Sequence, residues 1–132
     1  MIAVDTSALM AILLGEPEAD ACARSLEEEG DLLISAATLT EVLIVAGRRG
    51  LADQMAALIG RLDFTVAPLF EADARRAAQA HAQWGKGVHR AALNFGDCFA
   101  YALAKQHGCP LLYVGEDFAR TDLVAAMAGD AP

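Results

Sequence analysis

Short apolar runs alternate along the chain with longer segments in which apolar residues recur at helical spacing. Four of the runs predict β-strands: Met1–Val4, Leu32–Ser35, Phe64–Ala67 and Leu111–Val114. Each run is apolar at nearly every position instead of every second one, which is typical of parallel strands buried on both faces. The sequence therefore predicts a sheet in the interior of the fold.

The segments between the runs predict helices whose ends carry capping signals. Thr6 or Ser7 can cap the first helix, Pro17 suits the first turn of the second, and Gly108 can end the sixth. The predicted helices span residues 6–14, 17–29, 37–49, 51–61, 71–83, 95–107 and 121–127, with a loop at 84–94. Strands that alternate with helices indicate an α/β sandwich with a mostly parallel sheet. We expect a single domain over residues 1–132.

Composition narrows the class of protein. No apolar run approaches the roughly 20 residues that span a bilayer, so we expect a soluble protein without a membrane partner. The three cysteines include no CxxC pair, and no secretory signal is recognisable, so we expect reduced thiols and a cytoplasmic protein. The formal net charge of −8 argues against nucleic-acid binding through bulk charge. Either cations neutralise a group of acids, or the acidic surface serves a basic partner protein.

Four acidic residues occupy positions that a solvated surface does not explain. Asp5 directly follows the first apolar run, and Asp117 lies past the end of the fourth. Glu41 lies inside the apolar segment 36–46, and Asp97 lies near the start of the sixth predicted helix. A carboxylate in an apolar setting is costly unless something pairs with it. Taken singly, each acid has a structural alternative, which is a helix cap or turn for the aspartates and an ion pair with a nearby arginine for Glu41.

Taken together, the four acids predict a metal site. A parallel sheet would bring Asp5, Glu41, Asp97 and Asp117 to the same edge, where ligands of open α/β sheets bind. Crowded carboxylates repel one another and cannot all stay ionised without cations. Oxygen ligands without Cys or His partners select Mg²⁺, with Mn²⁺ as the alternative. Such a site positions phosphates and activates water.

Three stretches of the sequence resemble the PIN-domain family, and specifically its VapC-like ribonuclease toxins. They are MIAVDTSALMAILLGEPEA, ISAATLTEVLIV and LNFGDCFAYALAKQHGCPLLYVGEDFARTDL. The resemblance runs from residue 1 to about residue 127. It implies a three-layer α/β/α sandwich, metal-dependent endonucleolytic cleavage of RNA, a cognate VapB-like antitoxin and a homodimer.

The resemblance also assigns roles by position. It makes Asp5 and Asp97 the main ligands of a first metal ion, and it makes Glu41 a further ligand or the group that orients the attacking water. Many PIN domains carry Thr-x-Asp near the end of the fourth strand, where this chain has Tyr-Val-Gly at 113–115. The fourth acidic role therefore falls to Asp117, with Asp122 in reserve. Thr6 and Ser7 are auxiliary candidates, through a hydroxyl or a backbone amide.

The expected reaction is hydrolysis of an RNA phosphodiester by a Mg²⁺-activated water, which leaves 5′-phosphate and 3′-hydroxyl ends. Lys86, His89 and Arg90 in the predicted loop are candidates for contacts with the RNA backbone, and a solvated loop is the alternative.

Two other functional classes of protein stay open. One is a metal-dependent phosphatase on small esters, since Asp5 and the two residues after it are similar to the start of haloacid dehalogenases, although Ser7 stands where that family has a second acid. The other is a catalytically inactive PIN-like interaction domain.

Overall fold

The computed structural model describes residues 1–127, and strands alternate with helices in it as predicted. Residues 128–132, which belong to the single domain expected from the sequence, lie outside the described part. The strands are β1 (Ile2–Val4), β2 (Leu32–Ser35), β3 (Thr65–Ala67) and β4 (Leu111–Leu112). The helices are α1 (Thr6–Leu14), α2 (Ala19–Glu28), α3 (Ala36–Arg48), α4 (Ala52–Leu62), α5 (Glu71–Trp84) and α6 (Phe95–His107).

The four strands form one parallel sheet in the order β3-β2-β1-β4. Ile2 of β1 pairs with Leu32 of β2, and Ala3 of β1 pairs with Leu111 of β4. The predicted parallel sheet is confirmed. Since β1 and β2 are central and run in the same direction, the residues that follow them, Asp5 and the start of α3, reach the same edge of the sheet.

Helices cover both faces of this sheet. Ile2 and Val4 of β1 belong to a core that includes buried residues of α1 to α4, whereas Ala3 between them belongs to a second core with α5 and α6. Successive side chains of a strand point to opposite faces, so these two cores lie on opposite sides of the sheet. The three-layer α/β/α arrangement expected for a PIN-like fold is confirmed.

The helix boundaries follow the predicted capping signals only in part. Asp5 is the N-cap of α1 in place of Thr6 or Ser7, and α2 begins at Ala19, so Pro17 lies before its first turn. The sixth helix has the predicted bounds, and Gly108 ends it with a φ of +59°, a conformation that glycine adopts without a Cβ penalty. The fifth helix extends one residue beyond its predicted end, to Trp84. No helix within residues 1–127 is long and apolar enough to cross a membrane.

Strand β3 differs from its prediction. Thr65 and Val66 are exposed, so the expectation of burial on both faces is wrong for this strand. Among the described strands, β3 lies at the end of the sheet order and pairs with β2 alone. Local composition does not distinguish an edge position from a central one.

The helix predicted over residues 121–127 is wrong. A short 3₁₀ turn at Phe118–Arg120 precedes this segment, which then runs beside β4. The amide of Leu111 donates to the carbonyl of Val124 at 3.0 Å, and the amide of Ala126 donates to the carbonyl of Leu111 at 2.9 Å. The hydroxyl of Thr121 donates to the carbonyl of the first residue of the turn at 2.6 Å. The backbone groups of Val124 and Ala126 are thus used by β4, so this segment pairs with the strand instead of forming a helix.

Candidate active site

Asp5 is buried directly after β1, where it is also the N-cap of α1. Its side chain is 3% exposed, and Oδ2 accepts hydrogen bonds from the backbone N and the Oγ of Ser7 at 3.1 and 2.7 Å. Oδ1 is buried and has no hydrogen-bond partner among the described residues. A buried carboxylate oxygen without a partner is costly. The capping alternative therefore accounts for one oxygen of Asp5 and leaves the other for a ligand.

Glu41 is half-buried on α3, between α1 and α6. Its Oε1 accepts a hydrogen bond from Oγ1 of Thr6 at 2.7 Å. On the other side the carboxylate packs against Gly96 of α6, where an added Cβ would lie 2.8 Å from the Glu41 Cδ. Within residues 1–127, no ion pair joins Glu41 to Arg48 or Arg49, the arginines considered as alternative partners.

Asp97 is the third residue of α6 and caps that helix. Its backbone N donates to Oδ1 of Asn94 at 2.9 Å, and its Oδ2 accepts from the backbone N of Asn94 at 3.0 Å. The pKa of Asp97 is raised to about 7, mainly by burial and also by the charges of Asp5, Glu41 and Asp117, while the bond from the backbone N of Asn94 lowers it. Asp97 is therefore both a helix cap and a member of an acidic group.

The pKa of Asp5 is also raised, first by burial, then by the charge of Glu41, against the hydrogen bonds from Ser7. The charges that act on Asp97 come from the three other predicted acids, so each of these lies near enough to Asp97 to raise its pKa. Within residues 1–127, however, no three acidic, thiol or imidazole groups already stand in a geometry that encloses a metal ion. Three of the four carboxylates accept a hydrogen bond from a donor of their own chain, which is Ser7 for Asp5, Thr6 for Glu41 and Asn94 for Asp97.

Two residues were considered for the fourth role, and they lie in different surroundings. Asp117 is exposed at the start of the 3₁₀ turn, its side chain makes no capping bond, and its charge acts on Asp97. Asp122 instead accepts hydrogen bonds from the hydroxyl of Tyr101 at 2.6 Å and from Nζ of Lys105 at 2.9 Å. The bond from Tyr101 is the main reason why the pKa of Asp122 is lowered. Both oxygens of Asp122 thus accept hydrogen bonds from the chain itself, which leaves Asp117 as the candidate for the fourth role.

Ser7 joins the ends of β1 and β4. Its Oγ donates to Asp5 and accepts a hydrogen bond from the backbone N of Val114 at 3.0 Å. Because the Val114 amide turns to this hydroxyl, β4 ends at Leu112, two residues before its predicted end. The hydroxyl of Ser7 is therefore already engaged in fixing Asp5, and that of Thr6 in fixing Glu41.

Sequence reasoning missed two features beside the acids. The first is Gly96, whose signal was a glycine inside the first turn of a helix, next to a candidate acid. The second is Tyr101, whose hydroxyl accepts a hydrogen bond from Nε1 of Trp84 at 2.8 Å and donates to Asp122. No local pattern points to the second feature, because its members are distant in sequence.

The loop before α6 holds the candidate RNA contacts. Lys86 and Arg90 are exposed. His89 is half-buried, its Nδ1 accepts a hydrogen bond from the backbone N of Ala91 at 2.9 Å, and its ring meets Trp84 edge-on with centroids 4.8 Å apart. The two exposed cations remain candidates for phosphate contacts, whereas His89 also stabilises the loop.

A three-layer fold with acids gathered beyond the ends of parallel strands defines the class of PIN-domain proteins. Residues 2–124 match the PIN domain family, and the chain belongs to it. Within that family the chain is similar to Ribonuclease VapC30 of Mycobacterium tuberculosis, with 41% identity over 125 residues that cover 91% of this chain and 94% of that protein. It is also 39% identical over 126 residues to Ribonuclease VapC of Mycolicibacterium smegmatis, covering 92% and 97% of the two chains.

Two solved structures share the fold. One is VapC20 of Mycobacterium tuberculosis, described as a sarcin–ricin loop cleaving toxin, with a TM-score of 0.75, 20% identity and coverage of 94% of this chain and 97% of that one. The other is a toxin–antitoxin complex from Klebsiella pneumoniae, with a TM-score of 0.71, 21% identity and coverage of 95% and 96%. At these identities the likeness concerns the fold alone.

Proposed function

We propose that this protein is a metal-dependent endoribonuclease, the toxin of a toxin–antitoxin pair, and that the group formed by Asp5, Glu41, Asp97 and Asp117 carries its chemistry. The observation that carries the proposal is Oδ1 of Asp5, which is buried without a partner among the described residues, beside acids that raise the pKa of Asp97. Such a group needs a cation that the neighbouring side chains do not supply. The relatives named VapC ribonuclease support RNA as the substrate.

The donor set fits Mg²⁺ or Mn²⁺. All four candidate ligands are carboxylates, and hard oxygen donors are the ligands that these cations prefer. Oδ1 of Asp5 would hold the cation together with Asp97, while Glu41 and Asp117 would complete the set. When bound, the cation would make water a stronger nucleophile, and it would offset negative charge on the phosphate in the transition state.

The neighbouring residues of the chain hold these acids in place. Ser7 fixes Oδ2 of Asp5, while Oδ1 has no partner among the described residues, and the hydroxyl of Thr6 fixes one oxygen of Glu41. We propose that the other oxygen of Glu41 orients the attacking water and accepts its proton. Asp97 lies in the first turn of α6, so the positive end of the helix dipole also favours an anionic phosphate at this edge.

The proposal includes partners. The toxin–antitoxin complex among the structures with this fold supports a VapB-like antitoxin, and the net charge of −8 fits a basic partner.

We also propose a homodimer, since three apolar residues are exposed at the surface: Phe70 at 69%, Phe95 at 79% and Ile44 at 50%. Lys86 and Arg90 are proposed to contact the RNA backbone. We further propose that the protein acts in the cytoplasm, where RNA substrates are available.

The test is RNA cleavage over a panel of RNAs, with Mg²⁺ or Mn²⁺ and with EDTA, for the wild type and for Asp5→Asn and Asp97→Asn. Asparagine keeps an oxygen for each helix cap, so the fold should persist. We expect cleavage that depends on the cation and falls at least about 100-fold in both variants, since even the partners of metal ligands are worth about 10- to 100-fold.

Asp73→Asn is the matched control. Asp73 is also the third residue of a helix and also accepts a hydrogen bond from the backbone N of the capping residue, at 2.8 Å, but it belongs to α5. This variant should cut RNA like the wild type. Cleavage that persists in EDTA, or that survives both Asp5→Asn and Asp97→Asn, would exclude the proposed site.

A further inference from the structure

We propose that Gly96 is a positioning residue, because the absence of a side chain there leaves the space that the Glu41 carboxylate occupies. The inference rests on the proposed function only in taking Glu41 as a member of the site. It assigns a role to a residue that touches neither substrate nor cation and acts through Glu41 alone.

Gly96 packs directly against the carboxylate of Glu41. A Cβ built on Gly96 would lie 2.8 Å from Cδ of Glu41 and 3.0 Å from its Oε1, and it would lie closer still to Oε2. These are the three nearest atoms to that Cβ, and all belong to the end of one flexible side chain instead of the backbone. An added methyl group would therefore move the carboxylate of Glu41 and leave the main chain of α6 in place.

Thr6 holds the carboxylate of Glu41 on the side opposite Gly96. Oγ1 of Thr6 donates to Oε1 of Glu41 at 2.7 Å. The carboxylate is thus fixed between a hydroxyl at the start of α1 and the bare Cα of Gly96 at the start of α6. A side chain at position 96 would push the carboxylate out of this slot and strain or break its bond to Thr6.

No other feature of residues 1–127 requires glycine at position 96. Gly96 is helical without a left-handed φ, and glycine is a poorer helix former than alanine. Two other glycines lie within described helices, Gly47 in α3 and Gly60 in α4, and a Cβ on either would meet nothing within 4 Å. Among these three, Gly96 alone is packed against a side chain, and that side chain is a candidate site residue.

The experiment compares Gly96→Ala with Gly47→Ala and Gly60→Ala in the full chain. Each protein is measured for thermal unfolding, for Mn²⁺ affinity by calorimetry, and for RNA cleavage resolved into kcat and KM. We expect the two controls to melt about 1–4 °C above the wild type and to cut RNA normally. We expect Gly96→Ala to stay folded, to lose about 10- to 100-fold in kcat with little change in KM, and to bind Mn²⁺ about 10-fold more weakly.

A second variant tests the mechanism. Thr6→Val removes the hydroxyl on the other side of Glu41 and should cause a similar loss of kcat and Mn²⁺ affinity. Because both changes act through one carboxylate, the double variant should lose little more than Gly96→Ala alone. Fully multiplicative losses, or wild-type kcat and Mn²⁺ affinity in Gly96→Ala, would overturn the proposal.

A third measurement is independent of activity and of any cation. Glu41→Ala removes the carboxylate from the slot. In that background, Gly96→Ala should raise the melting temperature as much as Gly47→Ala and Gly60→Ala do. In the wild type, Gly96→Ala should raise it by less. The same cycle decides the outcome if Gly96→Ala alone folds poorly, since Glu41→Ala should then restore folding. Equal effects in both backgrounds would overturn the proposal. A wild type that cuts no RNA would refute the proposed function while leaving this cycle informative.

Discussion

The helices α5 and α6 begin with the same local arrangement. The third residue of α5, Asp73, accepts a hydrogen bond from the backbone N of Phe70 at 2.8 Å, and the third residue of α6, Asp97, accepts one from Asn94 at 3.0 Å. An acid at this position satisfies an unpaired N–H group and lies near the positive end of the helix dipole. By local sequence alone, both residues are helix caps.

The surroundings of the two carboxylates differ. Oδ1 of Asp73 accepts a hydrogen bond from Nη1 of Arg76 at 3.0 Å. Asp97 has other acids as its charged neighbours, and their charges together with burial raise its pKa to about 7. An acid paired with an arginine of its own chain needs no further partner, whereas an acid among acids needs a proton or an external cation. The neighbours of an acid, more than its capping motif, therefore separate a structural acid from a candidate site residue.

The largest contrast between the two acids should appear when a divalent cation is added. At about 100 times its Kd, Mg²⁺ or Mn²⁺ should raise the free energy of unfolding of the wild type and of Asp73→Asn by about 2.7 kcal/mol, because only the folded state gathers the acids. For Asp97→Asn at the same concentration, the gain should be below about 1.5 kcal/mol if affinity falls at least 10-fold. Urea unfolding in EDTA and in MnCl₂ measures both, and equal gains in the three proteins would refute the contrast.

Sequence patterns were sufficient for the central features of this fold. The continuous apolar runs predicted the buried parallel strands, and Asp5 and Asp97 were singled out because they border apolar segments. Their capping alternatives also hold, since Oδ2 of each makes a capping bond. A local pattern could not have separated the two roles, because one carboxylate fills both.

The features that sequence patterns did not predict depend on contacts between distant segments. The sequence leaves Asp122 as a second candidate for the fourth acidic role, yet its two oxygens accept hydrogen bonds from Tyr101 and Lys105. The helix expected after Thr121 is absent because that segment pairs with β4 instead. The slot at Gly96 depends on how α3 meets α6. Each of these outcomes is decided by tertiary packing, which local propensity does not encode.

The second contrast concerns pH in the absence of a divalent cation. The folded-state pKa of Asp97, about 7, lies above the ordinary value of 3.8, so the native state binds the additional proton between these values. The stability that this group contributes is fully present below about pH 4 and is lost as the pH rises through 7. Relative to Asp97→Asn, the wild type should lose about 1–2 kcal/mol over this range, since one pKa unit corresponds to about 1.4 kcal/mol and Asp97 is screened by partial exposure.

Unfolding in urea at several pH values between 4 and 8, with EDTA present, measures this loss. Asp73→Asn should follow the wild type across the range, because it leaves the acidic group intact. Saturating Mg²⁺ should flatten the wild-type profile, since a bound cation takes the place of the proton. A wild-type profile parallel to that of Asp97→Asn in EDTA would show that the acids around Asp97 do not interact as their positions indicate.

The smallest contrast comes from removing each carboxylate entirely. Asp73→Ala should lower the free energy of unfolding by about 1 kcal/mol, because a helix cap is lost and no repulsion between acids is removed. Asp97→Ala loses a cap of the same kind but also removes a partly buried charge from among other acids, and the two effects oppose each other. At pH 8 in EDTA we therefore expect Asp97→Ala to be at least as stable as the wild type.

At pH 5, Asp97 is protonated, so its substitution removes no charge repulsion. The two alanine variants should then lose similar amounts of free energy of unfolding, as urea unfolding at both pH values would measure. If Asp97→Ala instead cost about 1 kcal/mol at both pH values, Asp97 would be a helix cap like Asp73, and the difference between the two helix starts would not hold.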